Sequence, residues 1–565
     1  MLHRITSSIP ATYREGLDFD HVYLDRGAPL MQRRTLIHRP ALVIALFSFL
    51  TYGLQGTINW NDVKQRIDGF GASDAWFSDE IMEHPKHGEM LDLLFKKDGG
   101  AGLSILRHRV SPKGADDQRA DHTMTKEAFA RDCEIVWAAA WTPPKAWKTN
   151  DHPNGGSLKK EHYQDFAEYL EQYRSNHDEA TDIPLFGISP QNEPGKKPWE
   201  SCVWDKNDFR DFVRDHFGPT LKSSCRIIAP EETRWDNVDD FYTPIHNDAT
   251  AREYVDIVAG HCYPSSNKEI SYNHFGKPVW MTEWSYDTGG ENLSIGNGVE
   301  WALNFWTLLI KAEVSACHHW WLVNCHDDGK QQGLIAAPAG SRDYSVSKRL
   351  WTIGNFSKFV RPGWHRIDAT GDLEWQNYCA AFKNTETGDF AIMLINNNNE
   401  SHSVTIDFNG FTCASVTPHR TSATEDLKQL PAIDAGSSLT VEVPSKTVTT
   451  YVGRGDGATG VPRESGIGRP EIGVPELTRG ADGAIQCVLS PGFTGTVSLD
   501  VRNPAGQRVG GFTVADGRSS RRRTVISGTG KNSLFRPAPG LYVCRVTLRT
   551  AAGRTVYDRR LVVPH

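Results

Sequence analysis

Two glutamates stand out by their company. Glu193 sits in SPQNEP (189–194) and Glu283 in WMTEWS (280–285), each at the end of an apolar run. A glutamate in most positions is a solvated surface charge, but one closing an apolar strand costs several kcal/mol to bury without a partner. Two such carboxyl groups, one protonated and one ionised, are what hydrolysis of a glycosidic bond requires. Asn192 stands next to Glu193 and can hydrogen-bond a sugar hydroxyl, while Pro194 ends the strand and sets the turn. Trp280 and Trp284 flank Glu283, and flat aromatic rings suit the C–H faces of sugars.

The elements that must carry these residues read as alternating strands and helices. Strand candidates are GFGASDAW (69–76), LSILRHRV (103–110), IVWAAAW (135–141), LFGIS (185–189), RIIAP (226–230), VDIVAGHCY (255–263), PVWMTEW (278–284) and ACHHWWLV (316–323). Amphipathic stretches lie between them; in 162–177, Tyr163, Phe166, Tyr169, Leu170 and Tyr173 recur on one helical face. Eight such units predict an α/β fold, a closed (β/α)8 TIM barrel over 57–365, with the two glutamates after strands four and seven. An open doubly wound sheet would want a Gly-rich phosphate turn after its first strand, and none is present. Residues 366–453 instead alternate with period two between Asn, Gly and Ser turns, which predicts an antiparallel side β-sandwich completed by a strand near 57–66. A Gly/Pro-rich linker (454–470) then leads to an all-β C-terminal module (471–565), ending in a hairpin around Ala551–Gly553.

The net charge of -7 and pI near 6.3 speak against nucleic acid, whose phosphates want a basic surface. Seventeen Trp and sixteen Tyr fit a carbohydrate enzyme better. Ten Cys show no metal-like spacing; Cys202 with Cys225 is a possible disulfide. Residues Met31–Gly56 have the basic start, short apolar run and small-residue end of a signal peptide, and the apolar run falls short of the ~20 residues a membrane span needs. Translation is therefore expected to begin at Met31, with 1–30 an annotation artefact, and the product to be secreted or cell-surface and monomeric, with no membrane anchor after processing.

Five segments together, QRIDGFGASDAW (65–76), GLSILRHRV (102–110), AAWTPPKAWKTN (139–150), SPQNEP and WMTEWS, resemble glycoside hydrolase family 30, as does SKTVTTYVGR (445–454) at the close of its side sandwich. The resemblance spans roughly 60–454 and implies retaining double displacement, with Glu193 as general acid/base and Glu283 as nucleophile, their carboxyl groups about 5–5.5 Å apart. It implies that Arg107 holds the nucleophile ionised, with Arg109 as the rival on the same side of the strand, and that Asn192 meets the sugar 2-hydroxyl. Trp141 and Trp147 resemble the family's aromatic walls, and Trp76, Tyr263, Trp284 and Trp320, at or near other strand ends, are expected as further substrate contacts, with Trp321 next to the last of them. Strict alternation allows only one of Trp320 and Trp321 to face the cavity. Tyr263 is placed to hydrogen-bond Glu283, as aromatics near the sixth strand do in related barrels.

His108, His261, His318 and His319 raise the question of a metal, but His318 and His319 project to opposite faces, and hydrogen-bonding or core roles are expected; no metal or cofactor is assigned. The substrate expected is a cell-wall polysaccharide, first xylan, with β-1,6-galactan or β-1,6-glucan as alternatives suggested by WESCVW (199–204) and FRDFVRDHFGP (209–219). Glucuronoxylan-specific members carry an Arg near the last barrel strand; WWLVNCHDDGKQQGLI (320–335) has none, and Lys330 is the nearest substitute. A non-catalytic carbohydrate-binding barrel is the reading from another class, against which the presence of both carboxylates speaks. The C-terminal module either binds carbohydrate or acts as an export-sorting tail, which its ending resembles.

Overall fold

The computed structural model describes residues 53–457, apart from 115–118, 196, 264–275, 287–292, 327–331 and 372–376, and the strands within 476–563. The chain enters on β1 (Leu54–Arg66) and then lays down eight parallel strands: β2 (Gly69–Ser73), β3 (Ile105–Val110), β4 (Ile135–Ala140), β5 (Gly187–Ser189), β6 (Arg226–Glu232), β7 (Ile257–His261), β8 (Val279–Glu283) and β9 (Ala316–Asn324). Each pairs with the next, and β9 pairs with both β8 and β2, so the sheet closes. Strands covered on both faces need no alternation: every residue of β4 (IVWAAA) and β8 (VWMTE) is buried. Closure also needs close approach. A Cβ on Gly71 would stand 2.3 Å from the carbonyl oxygen of Ile105, so β2 can reach β3 only with glycine there. The helix Tyr163–Thr181 buries Tyr163, Phe166, Leu170 and Tyr173, the expected face, with Tyr169 half-buried at its edge.

β10 (Gly333–Ala336) continues the barrel sheet beside β9, and β11 (Ser345–Val346) turns back on it. A second ten-stranded sheet takes in β1, β12 (His365–Gly371), β13 (Asn377–Lys383), β14 (Asp389–Asn396), β15 (His402–Asn409), β16 (Cys413–Thr421), β17 (Lys428–Gln429), β18 (Ile433–Gly436), β19 (Ser438–Val443) and β20 (Thr447–Arg454). It is not wholly antiparallel as the alternating pattern predicts. β1 runs parallel to β15 and antiparallel to β12, because the strand inserted between them comes from the other end of the chain. Period two gives this sheet two faces. Ala380, Phe382, Ala391, Met393 and Ile395 join the barrel's core, while Cys379, Ala381, Phe390, Ile392 and Leu394 join Trp60, Phe408 and Phe411 in a separate core. Buried hydrogen bonds clamp the two layers: Trp306 Nε1 donates to the Cys379 carbonyl (2.7 Å), and Asn355 Nδ2 to Thr450 Oγ1 (3.0 Å).

Most of the expected leader lies outside the described residues, but its last three, Leu54–Gly56, already pair with Val404–Ile406 in β1. The barrel-and-sheet unit therefore begins earlier than residue 57. Among the described residues no helix is long and apolar enough to cross a membrane. Cys202 and Cys225 are free thiols and form no disulfide with each other. In the C-terminal region Glu476–Arg479, Ile485–Leu489 and Thr524–Ile526 form one sheet. Thr494–Arg502, Arg508–Arg518, Gly540–Thr550 and Gly553–Val563 form another, in which Thr550 pairs with Gly553 at the expected hairpin.

Candidate active site

Backbone geometry presents the mouth residues before side chains act. After β5 the buried Gln191 side chain donates to the carbonyls of Trp141 (2.8 Å) and Asn192 (2.7 Å) and accepts from Trp204 Nε1 (3.0 Å). The Asn192 N–H donates to Ala140 at the end of β4, and the Glu193 N–H to Glu231 at the end of β6. Three mouth residues, Trp76, Glu193 and Glu231, hold left-handed φ values of 67°, 49° and 58°. Such a conformation costs a non-glycine residue about 1–2 kcal/mol and persists where neighbours over-determine it, most often at functional sites.

These turns bring together a compact set of charges. Arg107, fully buried on β3, donates to Glu283 Oε2 at 2.6 Å, to Asn192 Oδ1 at 2.6 Å and to Glu231 Oε1 at 3.0 Å. Its guanidinium lies among the rings of Trp141 (4.7 Å), Trp137 (5.1 Å) and Trp320 (5.8 Å). Asn192 Oδ1 is thereby committed, which leaves its amide nitrogen to donate. His261, at the end of β7, faces Glu193 Oε1 (3.3 Å) and Glu283 Oε1 (3.8 Å) with Nδ1, and Glu231 Oε1 (3.4 Å) with Nε2. One oxygen each of Glu193 and Glu283, together with a His261 ring nitrogen, lies within 4.8 Å of the others. Glu193 Oε2 is buried and makes no hydrogen bond, with Lys197 Nζ 3.5 Å away.

Competition between burial and neighbouring charges sets the protonation of this group. Burial pushes Glu231 up, but the Arg107 charge and a hydrogen bond from His261 outweigh it and hold the carboxyl at about 2. Burial disfavours an imidazolium at His261, yet the Glu283 charge and the hydrogen bonds to Glu193 and Glu231 prevail and raise it to about 9. Glu193 falls below its ordinary 4.5, because His261 and Lys197 overcome desolvation. Glu283 rises above 4.5: desolvation, with the Glu193 charge added, exceeds the pull of His261 and Arg107. The 2.6 Å bond that Arg107 donates to it nonetheless favours the ionised form.

The cavity over these groups has a volume of about 1040 Å³, and its lining includes Trp76, Trp141, Asn192, Glu193, Tyr263, Glu283, Trp284 and Trp320. Trp76 (37% exposed) and Trp199 (48%) offer open ring faces at the mouth. Three expectations need correction. Trp147 does not line the cavity: after Pro143 and Pro144 the chain turns through Lys145–Trp147, and the ring stacks on His162 (5.7 Å) and meets Tyr169 edge-on. Trp320 and Trp321 both reach the cavity, because the β2–β9 register slips between Ala72↔His319 and Ser73↔Trp321. Such a bulge breaks the alternation and lets the two rings stack at 4.9 Å. The Tyr263 hydroxyl stands 3.3 Å from Ser285 Oγ instead of bonding Glu283. Arg109 takes no part in the carboxylate set; it grips Glu200 through two bonds (3.0 and 2.6 Å) under Trp76.

His108 pairs with Asp74 (2.8 Å) outside the barrel wall, near Asp121, in a second buried trio with the spacing of ligands. There an ion pair accounts for the arrangement, and in the Glu193–His261–Glu283 set Arg107 and Lys197 already supply the positive charge a metal would bring. His318 accepts from Trp137 Nε1 and donates to the Met281 carbonyl inside the barrel, while His319 lies against Trp301 on the other face.

A family model described as the glycosyl hydrolase family 30 TIM-barrel domain matches residues 116–283. The crystal structure of the glycoside hydrolase family 30 subfamily 8 xylanase Xyn30A from Clostridium acetobutylicum is 30% identical, with a TM-score of 0.62 over 71% of this chain and 99% of that one. The chain belongs to glycoside hydrolase family 30. As a family 30 member it is a glycoside hydrolase built on a TIM barrel with a side β domain. Glucuronoxylanase XynC of Bacillus subtilis is 27% identical over 422 residues, 70% of this chain and 90% of its own length. An endo-1,6-beta-D-glucanase of Neurospora crassa is 23% identical over 401 residues, 61% and 81% of the two chains.

Within this family 30 barrel, Glu231 and the bridging place of His261 are what sequence reasoning missed. The signal for Glu231 was present, since RIIAPEE also ends an apolar strand in a carboxylate. Nothing local marked Lys197, Tyr286, Glu300 or Gln332, which line the cavity from loops and a helix.

Proposed function

We propose that the chain is an exported, retaining endo-β-1,4-xylanase with Glu193 as general acid/base and Glu283 as nucleophile. What carries the reading is the approach of the two carboxylates, within 4.8 Å at their facing oxygens. Facing oxygens that close are in keeping with the carboxyl separation of about 5–5.5 Å of a retaining pair, against about 6.5–9.5 Å in an inverting one. In the first step a Glu283 oxygen attacks the anomeric carbon while Glu193 protonates the departing glycosidic oxygen, giving a covalent glycosyl ester and a free chain end. In the second, Glu193 takes a proton from water as that water's oxygen displaces Glu283. Arg107 holds Glu283 ionised and aimed, and the freed amide nitrogen of Asn192 is a donor for the 2-hydroxyl of the bound sugar. Xylan is favoured by the xylanase relatives at 27% and 30% identity; export is favoured by the leader pattern that starts at Met31, ahead of β1.

Digestion of xylans, β-1,6-galactan and β-1,6-glucan, with sizing of products, tests the substrate. Xylo-oligosaccharides are expected; products from β-1,6-glucan alone would favour the second reading, which the Neurospora crassa relative supports. Early product examined by proton NMR should carry the β anomer. Glu283→Gln should lose at least about 10³-fold in kcat while still binding glycan; an unchanged rate refutes the nucleophile.

A further inference from the structure

His261 occupies a position that the two-carboxylate scheme leaves without a task. Both of its ring nitrogens face carboxylate oxygens, Nδ1 toward Glu193 at 3.3 Å and Nε2 toward Glu231 at 3.4 Å. An ionised carboxylate only accepts, so both contacts are attractive only if both nitrogens carry protons, or if Glu193 carries the one between them. Glu231 is ill suited to take a proton, since Arg107 donates to the same oxygen at 3.0 Å. The proton on the Nδ1 side therefore belongs jointly to His261 and Glu193. The groups that bear on it are Glu193, Glu231 and Glu283 in contact, Lys197 beyond Glu193, Arg107 beyond Glu231, Glu232 on the same strand end as Glu231, His318 within the barrel, and Tyr263 edge-on at 6.1 Å.

We propose that His261 stores the acid proton of the reaction, releasing it from Nδ1 to Glu193 Oε1 when a glycan fills the cavity and recovering it at the end of each turnover. The proposal rests on the reading of Glu193 as the acid/base. Without glycan the imidazolium–carboxylate pair is the resting form, in keeping with the raised His261 and lowered Glu193. A bound glycan expels water, which disfavours separated charges, and the proton crosses to leave a neutral imidazole and a carboxylic acid. The terminal torsion of a glutamate is roughly two-fold, so a half-turn carries the protonated oxygen away from His261 to the place of Oε2, which otherwise stands unbonded with Lys197 Nζ 3.5 Å away. The acid proton then goes to the leaving oxygen as the glycosidic bond breaks. The proton that Glu193 later takes from water returns to Nδ1. His261 acts through Glu193 and is a positioning residue that also holds a proton.

The test uses the full chain on the polysaccharide selected by the digestion panel, and on 4-nitrophenyl and 2,4-dinitrophenyl glycosides of the same sugar. His261→Gln should lower kcat on polysaccharide about 10²-fold, within the range of general acid catalysis, with KM little changed. The 2,4-dinitrophenyl glycoside, whose leaving group needs no proton, should recover most of that loss. The alkaline limb of kcat/KM should move to lower pH, because the proton then depends on a carboxyl group alone. Equal losses on all substrates, or an unmoved limb, would overturn the proposal. Should His261→Gln fold poorly, Glu231→Gln, which withdraws the charge behind Nε2, should shift the limb the same way, and an unshifted limb there overturns it equally. Glu193→Ala separates the two readings: if the 2,4-dinitrophenyl substrate does not restore its first step, the acid/base assignment has failed and not the proton store.

Discussion

Arg107 shows how a buried charge is tolerated. It is fully enclosed yet meets two carboxylates, an amide oxygen and three indole faces. Removing one partner of a buried charge set leaves the others uncompensated at about 3–5 kcal/mol. Arg107→Met should therefore lower stability by roughly that amount in denaturant unfolding as well as abolish turnover; a fully stable variant would show that the set relaxes. The same groups set a pH window. Glu231, held at about 2, contributes stability that is present above the ordinary 4.5 and lost as pH falls toward 2. His261, raised to about 9, contributes stability that is present below the ordinary 6.5 and lost as pH rises through 9. The unfolding temperature should thus be highest near pH 4.5–6.5, and the His261 part of the alkaline fall, between 6.5 and 9, should vanish in His261→Gln. Persistence of the whole fall would place its source elsewhere.

At the scale of elements, the loop after β4 shows why strand ends alone do not define a sugar site. Lys148 is buried and donates to Thr142 Oγ1 (2.7 Å) and to the carbonyls of Pro153 (2.8 Å) and Ser201 (2.7 Å), tying the loops after β4 and β5 together. The staple lies in the segment that runs from Trp141 beside Arg107 to Trp147 against His162. Lys148→Met keeps the stem but leaves three acceptors unpaired, each worth about 1–3 kcal/mol if it stays dry. The expected result is a lower melting temperature and weaker KM for polysaccharide with the chemical step on small aryl glycosides retained; an unchanged KM would mean the loops hold without it. The bulge in β9 belongs to the same scale. One slipped residue turns Trp321 to the cavity and joins it to Trp320, which no alternation rule anticipates.

Over the whole molecule, β1 completes the side sheet, pairing with β12 on one edge and β15 on the other, and ties it to the barrel unit through Gln65 Nε2, which donates to the carbonyls of Leu309 (2.7 Å) and Val314 (3.2 Å). Ending the chain at residue 457 should leave hydrolysis of soluble glycan intact, because among the described residues the groups bearing on the carboxylates precede it; loss of activity would assign the C-terminal strands a part in the site. Starting the chain after Arg66 should give insoluble or unfolded protein, as two strands lose their partner and Trp60 leaves its core.

Composition, periodicity and the two carboxylate-ended strands were enough to determine the barrel, the side domain and the pairing of Glu193 with Glu283, because those follow from local pattern and from the rule that strand ends converge at a barrel mouth. Arg107 was reached through the family resemblance, since strand facing alone leaves Arg109 its equal on the same side. Tertiary structure alone decided what depends on angle, register and distance between remote segments: the left-handed turns at Glu193 and Glu231, the slip that admits Trp321, the loop that turns Trp147 away, and the placing of His261 among three carboxylates. A linear pattern states which face a side chain takes, whereas the protonation of a buried charge set depends on ångström-scale separations that only the closed barrel defines.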